Sequence, residues 1–154
     1  MSLVSELSDK RLKYKTIHRE GILDKFCGVQ GSQRIIDRKY FSQLWEGYTW
    51  AAIIGFIYDK RVPLGSGGKG DAFKFSVINN NGGELADALI LLALSKSKKG
   101  YKCLTEPDEI IKVIEEYANG GFEIIQSKIR EDESHFNNPD AFIEELLERK
   151  DTLT

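Results

Sequence analysis

The sequence predicts a mainly α-helical protein, a compact multi-helix single domain over residues 1–154 with a central buried helix and room for one short β-hairpin or strand pair. Three observations carry this. Tyr40, Phe41, Leu44, Trp45, Tyr48, Ala51, Ala52, Gly55 and Phe56 recur at steps of three and four, which is one apolar stripe on a helix. Residues 84–95 are apolar nearly all round, as expected of a helix buried in the middle of a core. A third stripe, Ile110, Ile111, Ile114, Tyr117, Ala118, Phe122, Ile125 and Ile129, keeps its phase across Gly120-Gly121.

Residues 1–34 are the least regular part. Leu3, Val4 and Leu7 have helical spacing, and a basic run over residues 10–19 and scattered glycines then predict irregular connections. The helix of the first stripe becomes apolar on its opposite face through Ile53, Ile54 and Ile57, so its second half should be enclosed, with Trp45 and Trp50 at least partly buried. It should stop near residues 59–61, because Pro63 disfavours helical geometry at Val62. A glycine-rich loop, residues 65–70, follows. Phe73, Phe75 and Val77 alternate with Lys74, Ser76 and Ile78, which is strand periodicity, and the strand needs a partner from the N-terminal region.

Thr105 is placed to cap the next helix, with Pro107 in its first turn and Asp108 completing a near capping box. The surviving phase favours one helix through Gly120-Gly121, with Gly121 packed closely against another element. Asn138-Pro139-Asp140 predicts the start of a short amphipathic helix bearing Phe142, Ile143, Leu146 and Leu147.

Of the 154 residues, 41% are hydrophobic and 30% charged, the balance of a chain that folds without metal or disulfide. Cys27 and Cys103 are far apart and lack ligand-spaced partners, so neither a zinc site nor a disulfide framework is encoded and a reducing cytoplasm is the expected compartment. The N-terminus has no signal-peptide pattern, and the apolar stretches are about half the ~20 residues a membrane span needs. No membrane partner is expected. The net charge of -2 hides an asymmetry: residues 1–104 hold 17 Lys/Arg against 10 Asp/Glu, and residues 105–154 hold 5 against 14. A basic face and an acidic face are both available to partners.

No catalytic residue, cofactor site or metal site is assigned. The stretch Gly65-Ser66-Gly67-Gly68-Lys69-Gly70-Asp71 lacks the order of a phosphate loop, since Lys69 is followed by glycine and no helix opens at Asp71. His18 and His135 have no second histidine nearby. Asp108, Glu109 and Lys112 have the residue types of a metal-dependent nuclease but fall within one helical turn, where the acids serve the helix N-terminus. Glu115-Glu116 and Glu144-Glu145 with Glu148 read as solvated faces with no apolar setting to raise a pKa. Lys10, Arg11, Lys13, Lys15 and Arg19, with Lys60 and Arg61 at a helix end, are the candidates for nucleic-acid contact. Glu144, Glu145 and Glu148 are the candidates for a basic protein partner.

Three stretches carry a family resemblance: Tyr48 with Ala51-Ala52, Gly55-Phe56, Arg61 and Pro63; Leu92-Ala93-Leu94; and Glu116-Tyr117-Ala118-Asn119-Gly120-Gly121-Phe122. Together they span residues 41–129. They resemble a family of accessory proteins encoded beside bacterial DNA phosphorothioation systems. The resemblance implies a bacterial defence setting and a multi-protein neighbourhood on DNA, and it supplies no catalytic residues.

The sequence therefore favours a non-enzymatic accessory or interaction protein with protein partners in such an assembly. The alternative is a weak, non-sequence-specific nucleic-acid binder using the basic segment. An enzyme with catalytic groups assembled from distant segments is the third reading. The oligomeric state is left open.

Overall fold

A computed structural model describes residues 3–23, 26–27, 41, 43–65, 68–136 and 140–153. The fold is mainly α with a two-stranded antiparallel ribbon. Helix α1 (Leu3–Ser8) leads into strand β1 (Arg11–Lys15), then a helical turn (Thr16–His18) that widens into a π-helical turn (Arg19–Leu23). Helix α2 (Leu44–Ile57) is followed by strand β2 (Lys69–Lys74) and helices α3 (Phe75–Asn81) and α4 (Gly83–Lys96). A 3-10 turn (Gly100–Thr105), the long helix α5 (Pro107–Glu131) and helix α6 (Asp140–Leu153) complete the order.

The centre of the molecule is the crossing of α2 and α5, the most extensive contact between any two elements. Both helices are apolar or uncharged on the facing sides, and three glycines bring the backbones together. A Cβ on Gly55 would overlap the Tyr117 carbonyl oxygen, one on Gly121 the Ala51 carbonyl oxygen, and one on Gly120 the Lys60 carbonyl oxygen. Glycine inside a helix costs roughly 1 kcal/mol relative to alanine. Here that cost is offset by dispersion contacts no side chain would permit. Phe56 stacks on Tyr117 at 4.2 Å, and Tyr48, fully buried, meets Phe73 and Phe122 edge-on at 5.3 and 5.9 Å. A second aromatic group, Phe26, Phe41, Trp50, Phe136 and Phe142, docks the start of α6 on the other end of α2.

The C-terminus of α2 is closed by two backbone bonds, from Lys60 N–H to the Gly55 carbonyl and from Asp59 N–H to the Phe56 carbonyl, with Asp59 in the left-handed region at φ 52°. Aspartate accepts that conformation at a modest cost. Its carboxylate is engaged by Lys96 Nζ at 3.1 Å and the Tyr117 hydroxyl at 3.2 Å, which holds it below its usual carboxylate range. This turn fixes the directions of Lys60 and Arg61.

Several expectations change. The strand lies at Lys69–Lys74, not at residues 73–78, because the chain enters α3 at Phe75, so the end of the glycine loop becomes ribbon. The basic run is not irregular: Arg11–Lys15 forms the partner strand that β2 requires. Phe41 pairs with Cys27 in an isolated bridge and the first-stripe helix starts at Leu44; Tyr40 lies outside the described residues. The 84–95 helix is not the central one, since Leu91 is 65% exposed and only Ala86, Leu89, Ile90 and Ala93 of α4 are buried. Thr105 ends the 3-10 turn and donates its hydroxyl to the Lys102 carbonyl, leaving Glu106 at the N-cap of α5 without a side-chain bond. The Asn138-Pro139 cap lies outside the described residues. The expected continuity of α5 through Gly120-Gly121 and the partial burial of Trp45 and Trp50 are observed.

Candidate nucleic-acid interface

Alternation along β1 turns Leu12 and Tyr14 into the core and leaves Arg11 and Lys13 exposed and Lys15 half-exposed, on one face at about 7 Å spacing. The register sets Arg11 opposite Lys74, Leu12 opposite Phe73, Lys13 opposite Asp71, Tyr14 opposite Gly70 and Lys15 opposite Lys69, with an irregularity between Leu12 and Lys13. Lys69 and Lys74 are also exposed. Five cations thus share the outer face, and two of the cross-strand pairs, Arg11/Lys74 and Lys15/Lys69, are like-charged. Like charges directly opposite one another destabilise an antiparallel pair.

The ribbon is held rigidly from beneath. Gly70 lies over the Tyr14 ring, where a Cβ would stand 2.9 Å from the phenol. The Tyr48 hydroxyl donates to the Lys13 carbonyl at 2.8 Å, and the Lys13 N–H donates to Glu115 Oε2 at 2.7 Å, so two helices satisfy the open edge of β1. Glu115 is not a solvated acid. Burial raises its pKa from 4.5 to about 7, opposed by the Lys13 hydrogen bond and the Lys13 and Lys69 charges. The folded protein therefore holds a proton there that the unfolded chain releases, and stability contributed by this group falls as pH rises from about 4.5 through about 7. In Glu115→Gln the urea midpoint should lose this decline, measured by circular dichroism between those pH values.

The structure separates the remaining sequence candidates. Lys10 is paired with Asp108 at 2.6 Å. Arg61 is tied to the protein: its Nε bonds Glu116 Oε1 at 2.7 Å and its guanidinium lies 5.9 Å from the Tyr117 ring. Glu116 is accordingly buried, not solvated. Glu145 is also internal, 2% exposed, accepting from the Tyr58 hydroxyl at 2.5 Å and His135 Nε2 at 2.7 Å. Burial would push its pKa up, but those two bonds and Lys128 hold it below the usual range. It cannot serve a partner surface. Glu144 is exposed, and the side chains of Glu148 and Arg19 lie outside the described residues.

Lys60 instead joins Lys15 and Arg130 in lining a cleft of about 690 Å³, together with His18, Glu123, Gln126 and Ser127. Glu123, Gln126, Ser127 and Arg130 are spaced i, i+3, i+4 and i+7, one face of α5. His18 is buried, its ring stacked on Phe122 at 5.0 Å. The Asn119 amide nitrogen donates to the carbonyls of Val62 and Pro63 at 3.1 and 3.2 Å, so its oxygen is the acceptor and His18 Nε2 carries the hydrogen across their 2.9 Å contact. Burial lowers the His18 pKa. Among the described residues no group of three or more His, Cys, Asp or Glu could hold a metal, and no helix is long and apolar enough to cross a membrane.

The residues of the family resemblance now have physical roles. Gly55, Tyr117, Gly120 and Gly121 make the α2–α5 crossing, and Arg61, Pro63, Glu116 and Asn119 tie the segment after α2 to α5 beneath the cleft. A small helical protein with a basic β-ribbon beside a cationic cleft is the class these features define. The chain belongs to the DNA sulphur modification system-associated protein 4 family, whose model matches residues 34–152, well over half its length. The match includes β2, Lys60 and the α5 wall of the cleft, while β1 and His18 precede it. No curated protein and no solved structure matches the chain.

Proposed function

We propose that this chain is a non-enzymatic accessory protein of a DNA sulphur modification system, working in a multi-protein assembly in the cytoplasm and contacting nucleic-acid backbone through the β1–β2 ribbon. The observation that carries the reading is the in-register opposition of Arg11 to Lys74 and Lys15 to Lys69 on an exposed, well-supported face. Lysine on a sheet edge also blunts aggregation, but that purpose needs no like-charged pairs across the ladder. A phosphate between each pair would turn a repulsion into two charge-assisted contacts. The purely adaptor reading loses support because Glu145, central to the acidic candidate patch, is engaged inside the protein. Two buried cysteines that form no disulfide suit a reducing compartment.

Wild-type protein should bind duplex DNA without marked sequence preference, since the ribbon offers cations and no base-reading amide on its outer face. Arg11→Glu with Lys74→Glu should lower duplex affinity on the order of a hundredfold at low salt, with the circular dichroism spectrum unchanged. Equal binding by wild type and the double variant, measured by fluorescence anisotropy, would contradict the reading.

A further inference from the structure

The cleft beside the ribbon has a composition that phosphate contact alone does not explain. Lys15, Lys60 and Arg130 supply three positive charges at the cleft, and none of the three has an ion-pair partner among the described residues. Opposed to them is Glu123, whose Oε2 is buried and has no hydrogen-bond partner among those residues. Glu123 lines the cleft, so its carboxylate is the acceptor there for an N–H donor that a ligand brings. Gln126 and Ser127 flank it with further hydrogen-bonding groups, and Ile17, 65% exposed, adds an apolar surface. A ligand that fits all of these combines an anion, N–H donors and an apolar surface. The volume of about 690 Å³ lies in the range of small-molecule sites.

We propose that this cleft binds a nucleotide, with its phosphate on Lys15, Lys60 and Arg130 and the amino-bearing edge of its base on Glu123. Guanine and cytosine suit a carboxylate because their pairing edges present amino hydrogens. Uracil does not, since carbonyl oxygens flank its single N–H and repel the carboxylate. The nucleotide comes either free or as an unpaired or terminal unit of a strand on the ribbon, with which the cleft shares Lys15. Apart from Lys15 the two sites use different residues, so either can fail without the other.

Isothermal titration with guanosine, cytidine and uridine monophosphates and with inorganic phosphate tests this. Guanosine and cytidine monophosphates should bind about tenfold more tightly than uridine monophosphate, the worth of one hydrogen bond to a charged group. Glu123→Gln, nearly isosteric, should remove that preference while keeping phosphate binding. Arg130→Ala, at an exposed position, should weaken every ligand including phosphate. Arg11→Glu with Lys74→Glu should leave nucleotide affinity intact, which separates this site from the ribbon. A 5′-phosphorylated guanosine trinucleotide that competes more tightly than the monophosphate supports a strand as the source, and the reverse order supports a free nucleotide. The proposal is overturned by no saturable binding of any nucleotide, or by equal affinities for all four ligands that Glu123→Gln does not change.

Discussion

Gly121→Ala should destabilise the fold by about 2–3 kcal/mol, although alanine is the better helix former by about 1 kcal/mol. The added methyl would fall on the Ala51 carbonyl oxygen, a backbone atom in the middle of α2 that no rotamer change can move aside. The two helices would have to part along the crossing, loosening the Phe56–Tyr117 stack and the Tyr48–Phe122 contact together. Gly121→Leu should fail to fold. Urea unfolding followed by circular dichroism checks both, with exposed Lys112→Ala as a neutral control. An alanine variant as stable as wild type would mean that the helices do not meet at this point.

Tyr48→Ala should cost about 3–5 kcal/mol, the range for removing a fully buried aromatic ring. Its ring fills the space among α2, α5 and the ribbon, and its hydroxyl satisfies the Lys13 carbonyl. Tyr48→Phe keeps the packing but leaves that carbonyl without its donor, and should cost about 1–2 kcal/mol. The pair of variants therefore separates what the ring does for the core from what the hydroxyl does for the ribbon edge. If Tyr48→Phe is as stable as wild type, the Lys13 carbonyl is satisfied in another way and the Tyr48 hydroxyl does not hold the ribbon edge.

The helices were legible because their apolar phases are long. The stripe over residues 110–129 predicts α5 and even the close approach at Gly121, since phase continuing through two glycines leaves no turn for them to make. The ribbon was not, because each strand is short and its pairing is non-local. In Arg11-Leu12-Lys13-Tyr14-Lys15 the charge run conceals a strict alternation of exposed cations with buried Leu12 and Tyr14. Phe73, Phe75 and Val77 mimic a strand while the chain turns into α3 after Lys74. The internal acids were hidden for a similar reason. Glu116 and Glu145 face inward because Arg61, Tyr58 and His135 arrive from distant segments to pair with them. The cleft left one readable trace, the polar row Glu123, Gln126, Ser127 and Arg130 on a single face of α5. Its counterparts Lys15, His18 and Lys60 are placed by tertiary contacts that no spacing reveals.

If five cations of one ribbon meet nucleic-acid phosphates, the affinity for duplex DNA must depend steeply on salt. A plot of log K against log salt for wild-type protein should be linear with a slope between roughly −3 and −5, as expected if most of Arg11, Lys13, Lys15, Lys69 and Lys74 displace counterions. In Arg11→Glu with Lys74→Glu the slope should become shallower by about 2 or binding should vanish. A wild-type slope near zero, or one unchanged in the variant, would contradict the account.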